Sequence, residues 1–149
     1  MTDSLLMTTK LYLPAPRAGQ ISRERLTARL AEGACLPLTL IAAPAGFGKS
    51  TLAAEWAQRQ GLRPAWVSLD EGDNDPVRFW TYVATALHRA DGRLGAGALA
   101  LLRSPQPPAV QAVVAALVSE AASITGRVAL VLDDYHLITA RPVHDGMIA

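Results

Sequence analysis

The stretch IAAPAGFGKST, residues 41–51, constrains this chain more than any other. It follows a short apolar run, LPLTLIAA over 36–43. It opens onto KSTLAAEWAQRQG, where Leu52 and Trp56 recur at helical spacing and Gly61 marks a stop. A glycine-bearing turn between a short strand and a helix is the elementary unit of a layered α/β fold. The turn matches G-x-x-x-x-G-K-[ST] at Gly48, Lys49 and Ser50, with Ala43 in place of the first glycine. Pro44 holds Ala43 in extended conformations, so alanine is compatible with that position.

The rest of the chain alternates in the same way. Residues 1–20 hold Pro14, Pro16 and Gly19 and read as an irregular N-terminal arm. ISRERLTARLAEG is a helix with Ser22 as its cap, Glu24 in its first turn, Leu26 and Leu30 on one face and Gly33 at its close. PAWVSLD, 64–70, is a second strand and EGDNDP a turn. Asp75 then caps a helix with Pro76 at its first position, which buries Val77, Trp80, Val83, Ala84 and Leu87. A short apolar piece, LGAGALALL, and the loop SPQPP lead into AVQAVVAALVSEAASITG. Its Val110, Val113, Val114, Leu117, Val118 and Ala121 share one helical face. RVALVLDD, 127–134, is a third strand, apolar without a break, as suits a parallel strand buried on both faces. RPVHDGMIA begins another helix. Strands near 38–42, 65–69 and 128–132 between helices predict an α/β fold with a parallel sheet. The expected division is an arm, 1–20, and a domain, 21–149.

Composition narrows the function classes. A formal charge of +1 offers no basic surplus for nucleic acid. Only Lys10 and Lys49 are lysines among the 14 basic residues, and one of them stands in the glycine-bearing turn, where a compact ammonium is useful. Cys35 is alone, which excludes an internal disulfide or a cysteine metal site and suits a small buried residue. The N-terminus has no long apolar core, and the longest apolar helical patch, 109–118, is too short to span a bilayer. A cytoplasmic setting with no membrane partner is expected. Asp70, Glu71, Asp73 and Asp75 crowd one loop but lack the spacing of a calcium loop, so turn and capping roles are expected. His88, His136 and His144 are scattered, and Trp56, Trp66 and Trp80 suit a core.

The chemistry centres on phosphate. Backbone N–H groups over Gly46, Phe47, Gly48, Lys49 and Ser50 would wrap a β-phosphate, with the helix N-terminus adding partial positive charge. Lys49 would bridge the β- and γ-phosphates, the Ser50 hydroxyl would ligate Mg²⁺, and Thr51 would reach the α-phosphate. VALVLDD ends a strand on two acids, at the edge where open α/β sheets bind ligands. There Asp133 would hold Mg²⁺ through water and Asp134 would orient the attacking water. Asp134 is one methylene shorter than glutamate, so at most slow ATP hydrolysis is expected. A free-standing P-loop kinase for a small metabolite is the alternative reading, with Arg89, Arg93 or Arg103 on its lid.

Five stretches, KLYLPAPR, ISRERL, APAGFGKSTL, WVSLDEGDNDPVRFWTYVATAL and LVLDDYHLI, together resemble the N-terminal NTPase domain of the MalT-like, large ATP-binding LuxR-type transcriptional regulators. These are STAND NTPases, signalling relatives of AAA+ proteins. SLDEGDNDP and DDYHLI are far more specific than the glycine-bearing turn. The resemblance implies a P-loop three-layer sandwich and an ATP/ADP switch with Mg²⁺. Ile21, Ser22 and Arg23 match the stretch that contacts adenine. It also implies that a winged-helix domain, a helical-repeat sensor and a C-terminal helix-turn-helix follow this region in such regulators. The chain is therefore expected to be a fragment of a regulator, with the rest of that chain, a self-oligomer and, through the helix-turn-helix, DNA as partners. A later strand of the sheet would lie beyond Ala149, so the isolated fold is expected to be incomplete and marginal.

Overall fold

The computed structural model describes residues 6–33, 40–41, 44, 48–62, 64–106 and 108–149. Its helices are α1 (Glu24–Gly33), α2 (Lys49–Arg59), α3 (Pro76–Ala90), α4 (Ala96–Leu102), α5 (Val110–Ala122) and α6 (Arg141–Met147), and its strands are β1 (Ala65–Ser68) and β2 (Leu130–Asp133). Contacts gather into two compact units, Met1–Tyr12 with Pro64–Ala149, and Leu13–Arg63.

In the larger unit β1 and β2 run parallel, in the register Ala65↔Leu130 through Ser68↔Asp133. The ladder continues at both ends, where Ala65 N donates to the Ala129 carbonyl at 2.9 Å and Leu69 N to Asp133 at 3.0 Å. A parallel pair needs a long crossover, and here it runs through α3, α4 and α5. The α/β character with a parallel sheet agrees with the alternation in the sequence. The expected first strand, 38–42, falls mostly outside the described residues.

Helix α3 is the spine of this unit. It starts where Asp75 accepts the Arg78 backbone N–H at 2.8 Å, with Pro76 in the first turn. Pro76 has no N–H to leave orphaned there. Phe79, Trp80, Tyr82, Val83, Ala84 and Ala86 are buried on it, and Phe79 meets Trp80 edge to face at 5.2 Å. Each such large side chain contributes roughly 1.5–3 kcal/mol through removal from water. Of the expected face Trp80, Val83 and Ala84 are buried, Leu87 is half-buried, and Val77, at 38% exposure, precedes the first buried residue of the helix. The turn into α4 is tight. Gly95 has φ +78, and a Cβ there would stand 2.2 Å from the Ala84 carbonyl oxygen, so the close approach to α3 requires glycine. Glu120 on α5 caps α4 by accepting the N–H groups of Gly95 at 2.7 Å and Gly97 at 2.6 Å.

Two expectations about burial are corrected. Of the six apolar residues expected on one face of α5, only Val113 and Leu117 are buried, and Val118 is 63% exposed. AVQAVVAALV is apolar nearly all round, so periodicity cannot choose a face. All four residues of β2 are only half-buried, against the expectation of cover on both faces. β1 flanks β2 on one side, and among the described residues no strand flanks it on the other.

The N-terminal segment is not wholly irregular, since Thr8–Leu11 forms a 3₁₀ turn. That turn sends Lys10 into the interior of the larger unit. In the smaller unit α1 and α2 pack together, with Thr27, Leu52, Ala53, Ala54 and Ala57 buried. Among the described residues no helix is long and apolar enough to cross a membrane.

Candidate functional site

In the smaller unit Gly48 stands immediately before α2 with φ +76 and ψ 31, a left-handed conformation that glycine takes without strain. Lys49 and Ser50 are the first residues of the helix, and no side chain at the Gly48 cap closes its first turn. A helix start so built presents the positive end of its dipole. Ala43, Gly46 and Phe47 lie outside the described residues.

A hollow of about 300 Å³ adjoins this helix start. Gly48, Thr51 and Leu52 line it on the α2 side, and Gln20, Ile21 and Arg23 on the other. Two of the three residues matched to an adenine-contacting stretch thus stand beside two residues of the glycine-bearing turn. Ile21 is 84% exposed, so its side chain takes no part in the core. A Cβ on Gly48 would lie 3.7 Å from the Arg23 guanidinium.

Ser22, the third, is tied elsewhere. Its hydroxyl donates to Glu55 Oε1 at 2.5 Å and accepts from Arg59 Nη2 at 2.6 Å. Arg59 also pairs with Glu55 at 2.9 Å. The side chain read as an N-cap for α1 therefore bonds to α2 instead. Glu55 lines the hollow as well. The Ser22 hydroxyl above all, then Arg59 and the Arg23 backbone N–H, hold its carboxyl below the usual range. Sequence reading passed over Glu55; its i,i+4 spacing to Arg59 was the one signal available.

The second pair of expected site residues belongs to the larger unit. Asp133 ends β2 half-buried, and Asp134 is exposed. Asp134 has φ +59 and ψ 33, the left-handed region that aspartate tolerates better than most residues. Its backbone N–H donates to Asp133 Oδ1 at 3.1 Å. Tyr135 follows in a 3₁₀ turn and reaches His144 Nδ1 on α6 at 2.7 Å. Burial pushes the Tyr135 phenol up.

The acid-rich loop behaves as turn chemistry requires. Asp70 accepts from Gly72 N at 2.9 Å, and its own N–H donates to Asp73 at 2.9 Å. Asp73 is fully buried and also accepts from Lys10 Nζ and from Arg78 Nε at 3.0 Å. Lys10 bonds Asp70 at 2.9 Å and lies 4.5 Å from the centre of the Tyr82 ring. Among the described residues no group of three or more His, Cys, Asp or Glu is placed to hold a metal ion. Of the arginines considered for a lid, Arg93 pairs with Asp91 at 2.7 Å and Arg89 lies 4.7 Å from the centre of the Tyr12 ring.

No family model matches the chain. Curated relatives do. The HTH-type transcriptional regulator MalT of Yersinia enterocolitica serotype O:8 is 40% identical over 143 residues, which is 96% of this chain and 16% of that protein. MalT of Cronobacter sakazakii is 38% identical and MalT of Yersinia pestis 39%, with the same coverage of each. Over nearly all of its own length, and over 16% of theirs, the chain is thus homologous to the MalT transcriptional regulators, as its five motif stretches imply.

Proposed function

We propose that this chain is the Mg-ATP/ADP-binding module of a MalT-type transcriptional regulator, a nucleotide switch with slow hydrolysis or none. The observation that carries the reading is the hollow where Ile21 and Arg23 meet Gly48 and Thr51 at the start of α2. Its volume, about 300 Å³, is at the lower end for small-molecule sites and suits a nucleoside. Backbone N–H groups over Gly46–Ser50 and the Lys49 ammonium would hold the phosphates, and Ile21 and Arg23 the base. The fold proposed for the whole region is a P-loop three-layer sandwich.

A serine hydroxyl at the helix start and a carboxylate at a strand end are the oxygen ligands that Mg²⁺ takes, with water completing its shell. Ser50 and, through water, Asp133 are the residues proposed to hold it. Mg²⁺ held there would neutralise charge on the β- and γ-phosphates. Asp134 would accept a proton from the attacking water, but from a shorter stem than glutamate, so retention of the nucleotide outlasts turnover. DNA binding and self-assembly are proposed for the parent regulator, in a cytoplasmic setting.

The test is calorimetric titration of ATP and ADP with Mg²⁺ into the chain and into Lys49→Ala. Binding to the first and a loss of about tenfold or more in the second is the expected result. Equal affinity in both would overturn it.

A further inference from the structure

We infer that Glu55 is the positioning residue that sets where the Ile21–Arg23 stretch stands against α2, and so how much of the affinity comes from the nucleoside rather than from the phosphates. This rests on the nucleotide reading above. A carboxylate on the wall of a site for an anion repels the ligand, so its presence there calls for a reason. The bonds it makes supply one. Two donors converge on Glu55, one from the stretch before α1 and one from α2: the Ser22 hydroxyl at 2.5 Å and the Arg59 guanidinium at 2.9 Å. Arg59 closes the ring by donating to the same hydroxyl at 2.6 Å. Glu55 lies four residues beyond Thr51 and three beyond Leu52, so the three share one face of α2, and all three line the hollow. It is thus set back along the helix from the Gly48–Thr51 end, where phosphates would bind.

The consequence falls on Ile21. Its neighbour Ser22 is anchored to Glu55, and Arg23 beside it leads directly into α1. Ile21 itself is 84% exposed and lines the hollow, with no core packing of its own to fix it. Its position is therefore inherited from theirs. Removing the Glu55 carboxylate frees the stretch, and a base then has to order it on binding. Backbone N–H contacts to phosphate, made by α2 and the turn before it, do not depend on that stretch; only the Arg23 guanidinium, beside Gly48, links the two, so the base loses more than the phosphates.

The experiment compares affinities for ATP and for inorganic tripolyphosphate, each by competition against a fluorescent ATP analogue, using the 149-residue chain. Glu55→Ala is expected to raise the ratio of the ATP to the tripolyphosphate dissociation constant about tenfold. The ratio cancels the gain that both anions make from losing a nearby negative charge. Glu55→Gln, which keeps an acceptor, should recover part of the loss. Ser22→Ala, on the exposed side of the ring, should shift the ratio in the same direction by less, and it decides the matter if circular dichroism shows Glu55→Ala unfolded. An unchanged ratio in these variants, whether both ligands weaken together or neither does, overturns the inference alone. A wild-type chain that binds neither ligand overturns the nucleotide reading and this inference with it.

Discussion

The Asn74 side chain accepts the backbone N–H of Ala140 at 2.8 Å, across 66 residues of sequence. The same oxygen takes the Thr139 N–H at 2.7 Å, and the Asn74 amide donates to the carbonyls of Glu71 at 2.9 Å and Leu137 at 3.1 Å. One side chain thus holds the turn after β1 against the segment after β2. The two stretches that carry the resemblance most specifically, SLDEGDNDP and DDYHLI, form one structural joint. Asn74→Ala leaves two backbone donors without an acceptor and should cost about 1–3 kcal/mol in urea unfolding. Asn74→Asp keeps the acceptor and loses the two donated bonds, so its cost should be the smaller.

Lys10 is the second joint. It is 7% exposed, between Asp70 and the fully buried Asp73, and its ammonium faces the Tyr82 ring. Removing Lys10 leaves the buried Asp73 carboxylate with only Arg78 and the Asp70 N–H to balance it. Lys10→Met should destabilise the chain by about 3 kcal/mol. Paired with Asp73→Asn in a double-mutant cycle, it should show coupling well above experimental error. Additive losses would mean that the ammonium and the carboxylate act independently.

Much of this was legible in the sequence, and the illegible part has physical causes. The Asp75–Pro76 helix start, the β1 and β2 strands and the capping use of the acidic loop all follow from local rules, because each depends on residues a few positions apart. Lys10 was read only as a rare lysine, and Asn74 not at all, since their partners lie 60 or more residues away. Glu55 was missed for the same reason, its partner Ser22 being 33 residues distant. Faces were harder than elements. Val77 obeys the helical period yet stays exposed because period alone does not say how far along a helix its cover extends, and Val118 because its segment is apolar nearly all round. At the site, Ile21 and Arg23 came from resemblance, and no periodicity would have placed them beside Gly48.

Acid should reveal the carboxylates. Hydrogen bonding from Arg93 lowers the Asp91 pKa from 3.8 to about 2. The Lys10 hydrogen bond lowers that of Asp70 and the Ser22 hydroxyl that of Glu55. Each folded pKa lies below its unfolded value, so the stability these groups contribute is present above the ordinary values of 3.8 and 4.5. It is lost as pH falls through the folded ones. The melting temperature should therefore change little, on account of these groups, from neutral pH down to about 5, then fall modestly toward pH 2, because all three carboxylates are exposed to screening. In Lys10→Met the Asp70 share of that fall should be reduced. A melting temperature that rises on acidification below pH 4 would contradict the assignment of these shifts.

Gly48 and Gly61 offer a paired test of strain against site. Both have positive φ, +76 and +63. An alanine at either position pays the left-handed penalty, roughly 1–2 kcal/mol. At Gly61 nothing lies within 4 Å of the added carbon, and at Gly48 the nearest atom is Arg23 Nη2 at 3.7 Å, an ordinary contact. Neither substitution clashes, so the two should lower unfolding stability by similar amounts. Their effects on nucleotide should part. Gly48 carries the turn into the first residues of α2, and relaxing its backbone moves the N–H groups proposed to hold phosphate, so Gly48→Ala should weaken ATP binding about tenfold or more. Gly61 closes the far end of the same helix, and Gly61→Ala should leave ATP affinity within about twofold of wild type. Equal losses of affinity in the two variants would trace the effect to general destabilisation and remove Gly48 from the site.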